Sequence, residues 1–274
     1  MKTLYISDLD GTLLTPEATV SDFTKAKLNL LAEHGVCFSV ASARTAATVG
    51  KMFADTTLAA PAVLMNGAVI YDISKKEYVR TYPFSEESKS QLLDAVSGTS
   101  GFIYTVDEGK LHTFYERNDT EHSRKFREER ETLYGKVFTK TASFTDLADR
   151  SCIYFSTAGE EKDTSRLRET LAAIPGLHIE YYRDIYNEAF FYLEACAEGV
   201  SKSAAAREIR EKGGFDRMVA FGDNLNDLPL FEASDEAFAV ANAKEDVKNA
   251  ADAVIGRNCE DAVVRYILDR EGIE

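Results

Sequence analysis

The chain has no tryptophan, and only four histidines, four cysteines and five prolines among its 274 residues. The cysteines, Cys37, Cys152, Cys196 and Cys259, lie far apart. None pairs at the spacing of a zinc ribbon or a redox CxxC, so neither a metal nor a disulfide framework organises the fold. Buried, reduced thiols are the expectation. Long apolar runs are missing too. No stretch approaches the roughly 18 residues of a membrane span, and the opening Met1–Asp8 becomes charged too soon for a secretory leader. A cytoplasmic protein with no membrane partner is expected. Positive charge is scarce: 32 Lys and Arg stand against 46 Asp and Glu, a net charge of -14. Such a field argues against nucleic acid as a partner. It would also repel a phosphorylated ligand at long range, so a site for one needs a local cation.

What is present is ample apolar material, 45% of the residues, and a length comfortable for two domains. The first part alternates strand and helix patterns. Leu4–Ser7, Val36–Ala41 and Ala62–Met65 read as strands. Ser21–His34 and Thr45–Ala54 read as helices, the first closed by Gly35. Strands separated by helices imply a parallel sheet with right-handed crossovers. Near Pro83 the rhythm changes. Strand patterns at 101–106, 110–115, 152–156, 178–182 and 189–194 mix with helices near 120–132 and 160–173, as in an α+β insertion. The α/β rhythm then returns with a helix from about Ser201 and strands at 218–221, 237–241 and 253–255. The architecture expected is one core built from residues 1–83 and 194–274, with a second domain, 84–193, inserted between.

Four polar clusters each follow an apolar strand: Asp8/Asp10, Ser42, Asn66-Gly67 and Asp223-Asn224-Leu225-Asn226-Asp227. In a parallel sheet the strand ends face one way, so these clusters converge at one edge, where open α/β sheets place their chemistry. Asp8 and Asp10, two apart in an extended segment, project to the same side. One can serve as nucleophile or metal ligand while the other handles protons. Carboxylates gathered without histidine or cysteine suit a hard cation such as Mg²⁺.

Asp8-Leu9-Asp10-Gly11-Thr12, Ser42, Lys202 and Gly222-Asp223-Asn224-Leu225-Asn226-Asp227 occur in the order of the haloacid dehalogenase superfamily of phosphohydrolases, which this chain resembles over nearly its whole length. The position of the insert resembles the Cof-like sugar-phosphate phosphatases, which carry a large α/β cap. Phe238–Ala243 also resembles a stretch of that subfamily. The resemblance implies an α/β fold with a Rossmann-like core and a specificity-setting cap. It implies an Mg²⁺-dependent phosphatase of a small phosphorylated metabolite, as a monomer or small homo-oligomer. Asp8 would attack phosphorus and form an aspartyl-phosphate. Asp10 would protonate the leaving oxygen and then deprotonate water. Asp8, the Asp10 carbonyl and Asp223 would hold the metal, and Asp227 would bind the metal or its waters. Ser42, Lys202 and Asn226 would bind the phosphate, with Asn226 alternatively holding Lys202. Arg44, Asn66 and Gly67 are further candidates. The second motif departs from the family's usual Thr-Gly-Arg, reading Ser42-Ala43-Arg44, and Ser203 follows Lys202 where Gly is common.

Plainer readings compete at several positions. Ser42 could cap a helix, Lys202 could be a solvated helix lysine, and Asn66-Gly67 could be only a tight turn. Arg124, Lys125, Arg127 and Arg130, alternating with glutamates, read as a solvated helix face. Phe190, Phe191 and Tyr192 read as core. A phosphomutase and a non-catalytic phosphometabolite-binding protein are the alternative functions; the presence of Asp10 argues against the second.

Overall fold

The apolar run after Lys2 becomes β1 (Thr3–Ser7), buried from Leu4 onward. A tight helical turn follows over Leu9–Leu13, broken at Gly11, whose φ is +81°. Helix α1 (Asp22–Glu33) begins at Ser21, whose hydroxyl accepts the Thr24 amide, and Gly35 (φ +77°) lies just past its end. β2 (Cys37–Val40), α2 (Ala46–Met52), β3 (Ala62–Leu64), β4 (Val69–Asp72) and β5 (Glu77–Thr81) complete the first stretch. Next come α3 (Glu86–Val96), β6 (Gly101–Asp107), β7 (Lys110–Tyr115), α4 (Glu121–Tyr134) and β8 (Phe138–Lys140). They are followed by β9 (Cys152–Glu160), α5 (Glu161–Ala172), β10 (Leu177–Arg183) and β11 (Phe190–Ala197). The chain then runs through α6 (Lys202–Gly213), β12 (Arg217–Gly222), α7 (Leu228–Glu232) and β13 (Glu236–Ala239). It closes with α8 (Glu245–Ala250), β14 (Ala253–Val254) and α9 (Ala262–Glu271). This computed structural model describes residues 1–184 and 189–274.

Contacts divide the chain into two units, residues 1–80 with 201–274, and residues 81–200. The first is built on a five-stranded parallel sheet of order β14-β13-β12-β1-β2. Ser7 of β1 is level with Val40 of β2 and Phe221 of β12, so three carboxyl ends meet at one edge. β1 is flanked on both sides, which is why it reads as an unbroken apolar run rather than an alternating one.

The third strand departs from the expected parallel sheet. β3 touches β2 through one parallel bridge, Ala41 to Val63, and otherwise pairs antiparallel with β4 in a small sheet that ends in β5. The cause lies at Met65 and Asn66, both with φ +52°, and Gly67 with φ +98°, which turn the chain straight back on itself. The second unit is a six-stranded sheet of order β10-β11-β9-β6-β7-β8, antiparallel except between β7 and β8. Leu92, Leu93 and Val96 of α3 and Leu171 of α5 pack with Ile103, Phe155 and Leu193 of the sheet in one core. α4 packs Phe126 on Phe102, with ring centroids 5.2 Å apart. Helix α4 is in part the solvated face expected: Lys125 pairs with Glu121, while Arg130 lies over the Phe126 ring. Phe190, Phe191 and Tyr192 are only partly buried, not core. The thiol expectation is corrected as well. All four cysteines are free, but only Cys152 and Cys196 are buried; Cys37 is half-buried and Cys259 exposed, because it lies in a short surface turn.

Candidate active site

Asp8 stands at the carboxyl end of β1, fixed from behind by its own amide, which donates to the Phe221 carbonyl (3.0 Å). Its side chain is buried, and Lys202 Nζ donates to Oδ1 at 2.5 Å. Lys202 is the first residue of α6. Its side chain is 7% exposed, so it is not a solvated helix lysine. The same ammonium donates to Asp227 Oδ1 at 3.0 Å. Asp227 is fully buried, and its other oxygen accepts the amides of Asp223 and Asn224, each at 3.1 Å. Asp227 therefore shapes the turn that carries Asp223 and at the same time holds the lysine. Asp223 accepts the Thr12 hydroxyl at 2.9 Å. Asn226 sits half-buried on this turn; among the described residues Lys202 is held by the two aspartates, not by Asn226.

Electrostatics sharpen the picture. Burial, then the charge of Asp227, push the Asp8 carboxyl well above the usual range, against the pull of Lys202. Burial and Asp227 push Asp223 up to about 7. Burial works against the Lys202 charge, but Asp227 and Asp8 outweigh it, so its pKa is raised. One ammonium thus serves three crowded carboxylates, and the cluster is short of positive charge. Asp8, Asp223 and Asp227 can each offer an oxygen within 4.8 Å of the others. An all-oxygen set of this kind, its mutual repulsion only partly offset by Lys202, fits a hard divalent cation.

Backbone freedom at two glycines makes the assembly close. A Cβ on Gly11 would lie 2.5 Å from Asp223 Oδ2. A Cβ on Gly67 would lie 2.2 Å from the Ser201 carbonyl oxygen, at the residue before Lys202. Asn66-Gly67 is thus both a tight turn and the seat on which the start of α6 rests. Ser42 is buried at the end of β2, and its hydroxyl accepts the Arg44 amide at 3.2 Å. Thr45, not Ser42, occupies the N-cap position of α2. Asp10, partly exposed, is gripped by Arg44, with Nε to Oδ2 at 2.8 Å and Nη2 to Oδ1 at 2.6 Å.

Two residues that support the site carry no obvious mark in the sequence. Asn242 donates to the Gly11 carbonyl (2.7 Å) and accepts the Asn258 amide (2.9 Å). Asn258 in turn donates to the Leu14 carbonyl (2.8 Å). Together they clamp the turn that follows Asp8. Asn242 lies inside the 238–243 stretch noted above; nothing in the sequence singles out Asn258.

The family model of haloacid dehalogenase-like hydrolases matches residues 5–267. Among curated relatives, the pyridoxal phosphate phosphatase YbhA of Escherichia coli K12 is 27% identical over 95% of both chains. The 5-amino-6-(5-phospho-D-ribitylamino)uracil phosphatase YcsE of Bacillus subtilis is 23% identical over 96% of this chain and 94% of its own. A solved subclass IIB sugar phosphatase superposes over the full length of both chains, with a TM-score of 0.74 at 22% identity, a likeness of fold. No described helix is long and apolar enough to cross a membrane. The chain belongs to the haloacid dehalogenase-like hydrolases, in their Cof-like branch, and is a phosphoric monoester hydrolase.

Proposed function

We propose that this enzyme is an Mg²⁺-dependent phosphatase of a small phosphorylated metabolite and that it works through an aspartyl-phosphate on Asp8. The observation that carries the reading is the Lys202 ammonium, bound to both Asp8 and Asp227 in a buried cluster at the carboxyl ends of β1 and β12. A merely structural ion pair would not need a third carboxylate, the half-buried Asp223, in the same place.

Mg²⁺ would be held by Asp8, Asp223 and Asp227, with the Asp10 carbonyl as the fourth protein donor. When bound it would neutralise charge where carboxylate and phosphate meet. The chain's own groups do the rest. Asp8, oriented by Lys202, presents one carboxylate oxygen to phosphorus; the P–O ester bond breaks as the Asp8–phosphorus bond forms. Asp10 gives its proton to the leaving alkoxide, then takes a proton from the water that cleaves the aspartyl-phosphate. Lys202 and the Ser42 hydroxyl offset and orient the phosphoryl oxygens. Charge spread over the transferring group makes such fixed donors the main source of acceleration.

Residues 81–200 are read as the unit that chooses the substrate. Relatives that act on pyridoxal phosphate and on a phosphoribitylamino-uracil, together with the likeness to a sugar phosphatase, favour phosphate esters of sugars and sugar-like or heteroaromatic cofactors. The test is phosphate release from a panel of these compounds with saturating Mg²⁺, for the native chain and Asp8→Asn. The reading expects turnover in the native chain, its loss in the variant and its loss with a chelator. Turnover that survives in Asp8→Asn would overturn the covalent route.

A further inference from the structure

Arg44 has no part in the chemistry described so far, although it is paired with Asp10. Arg44 meets Asp10 fork to fork, with two parallel N–H···O bonds at 2.8 and 2.6 Å. This geometry fixes a carboxylate in plane and in direction, which a single contact cannot do. Both side chains are mostly sheltered, 13% and 29% exposed. Each end of the contact has its own support. The Arg44 amide donates to the Ser42 hydroxyl and its carbonyl accepts the Met65 amide, so its backbone is tied to the ends of β2 and β3. Asp10 lies in a kinked turn, φ -73° and ψ 117°, ahead of Gly11 at φ +81°.

We propose that Arg44 is a positioning residue of the phosphatase: it sets where the Asp10 carboxylate stands relative to Asp8, and it acts on the reaction through Asp10. The proposal rests on the functional reading above. It differs from two other roles for an arginine here. A purely structural bridge would matter to folding and not to one chemical step. An arginine that bound the phosphate would matter to affinity whether or not Asp10 is present.

The experiment compares Arg44→Ala and Arg44→Lys in the native chain and in Asp10→Asn. The substrates are an alkyl phosphate, whose departure needs a proton, and an aryl phosphate, whose departure does not. Arg44→Ala is expected to lower kcat on the alkyl substrate about 10²-fold, the scale of a 1 Å misplacement of a reacting group, with KM nearly unchanged. The loss of aspartyl-phosphate formation should be much smaller on the aryl substrate in single turnover. In Asp10→Asn, Arg44→Ala should cost little more, because its target is already gone. Arg44→Lys should fail to restore the rate, and added guanidinium ion should recover part of it in Arg44→Ala. Equal losses in both backgrounds, or a loss seen mainly in KM and in inhibition by inorganic phosphate, would overturn the proposal and leave the phosphatase reading intact. No release from either substrate by the native chain would instead overturn the functional reading itself.

Discussion

Lys202 is the residue on which the site's electrostatics turn. Its ammonium is buried between two buried carboxylates, so its removal leaves both without the cation they share. Breaking such a pair costs about 3–5 kcal/mol. Lys202→Met is therefore expected to lower the midpoint of thermal unfolding as well as abolish phosphate release, and Mg²⁺ should recover some of the stability but not the activity. Calorimetry with and without the metal checks this; an unchanged midpoint would contradict the buried-pair account. Gly67 allows a cleaner separation. Both Gly35 and Gly67 have positive φ, where alanine costs about 1–2 kcal/mol. A Cβ at Gly35 meets nothing, whereas one at Gly67 meets backbone beside Lys202. Gly35→Ala should thus lose stability alone. Gly67→Ala should lose stability and, because α6 must shift, most of the activity.

At the scale of elements, the turn after β1 depends on two asparagines that reach it from a distance in sequence. Asn242→Ala removes the donor to the Gly11 carbonyl, next to the carbonyl of Asp10, and leaves the Asn258 amide without its partner. Loss of such partly buried partners costs about 1–3 kcal/mol. The expected outcome is a weaker Mg²⁺ affinity, read by titration calorimetry, with kcat at saturating metal reduced less than the affinity. An unchanged affinity would mean the clamp serves folding only. These asparagines also show where sequence reading stops. The strands β1, β2 and β12 were legible because a strand buried on both sides is a plain apolar run, and their polar tails marked the site. The small sheet was not. Val69–Asp72 follows Gly67 so closely that it reads as part of the turn, and β5 is mostly exposed with no apolar face to betray it. Helix α3 escaped for another reason: its first half, Glu86–Gln91, is polar, and its apolar residues at the core, Leu92, Leu93, Ala95 and Val96, all lie in its second half. Arg44 was legible as a motif residue, but a grip on Asp10, 34 positions away, is a property of the fold.

For the molecule as a whole, the balance of charge joins stability to metal and pH. A chain of net charge -14 that gathers three carboxylates, two of them buried, around one ammonium starts from an unfavourable position. The folded, metal-free protein relieves it by holding protons: Asp223 titrates at about 7, because of burial and then Asp227, and Asp8 is raised too. An unfolded aspartate loses its proton near about 4. Between those values the folded state binds more protons than the unfolded one, so this contribution to stability is full below about pH 4 and is lost as pH rises through about 7. On the proposed reading magnesium should reverse the dependence, since it would bind the carboxylates in their charged form. At a hundredfold excess over its dissociation constant it would stabilise the fold by about 2.7 kcal/mol, with protons competing at low pH. The midpoint of unfolding should therefore rise on adding Mg²⁺ at pH 8, and rise much less at pH 5. Asp223→Asn should be less sensitive to pH without metal and should gain less from Mg²⁺ at pH 8. A metal-induced rise of equal size at both pH values in the native chain would show that the cation binds somewhere other than this cluster.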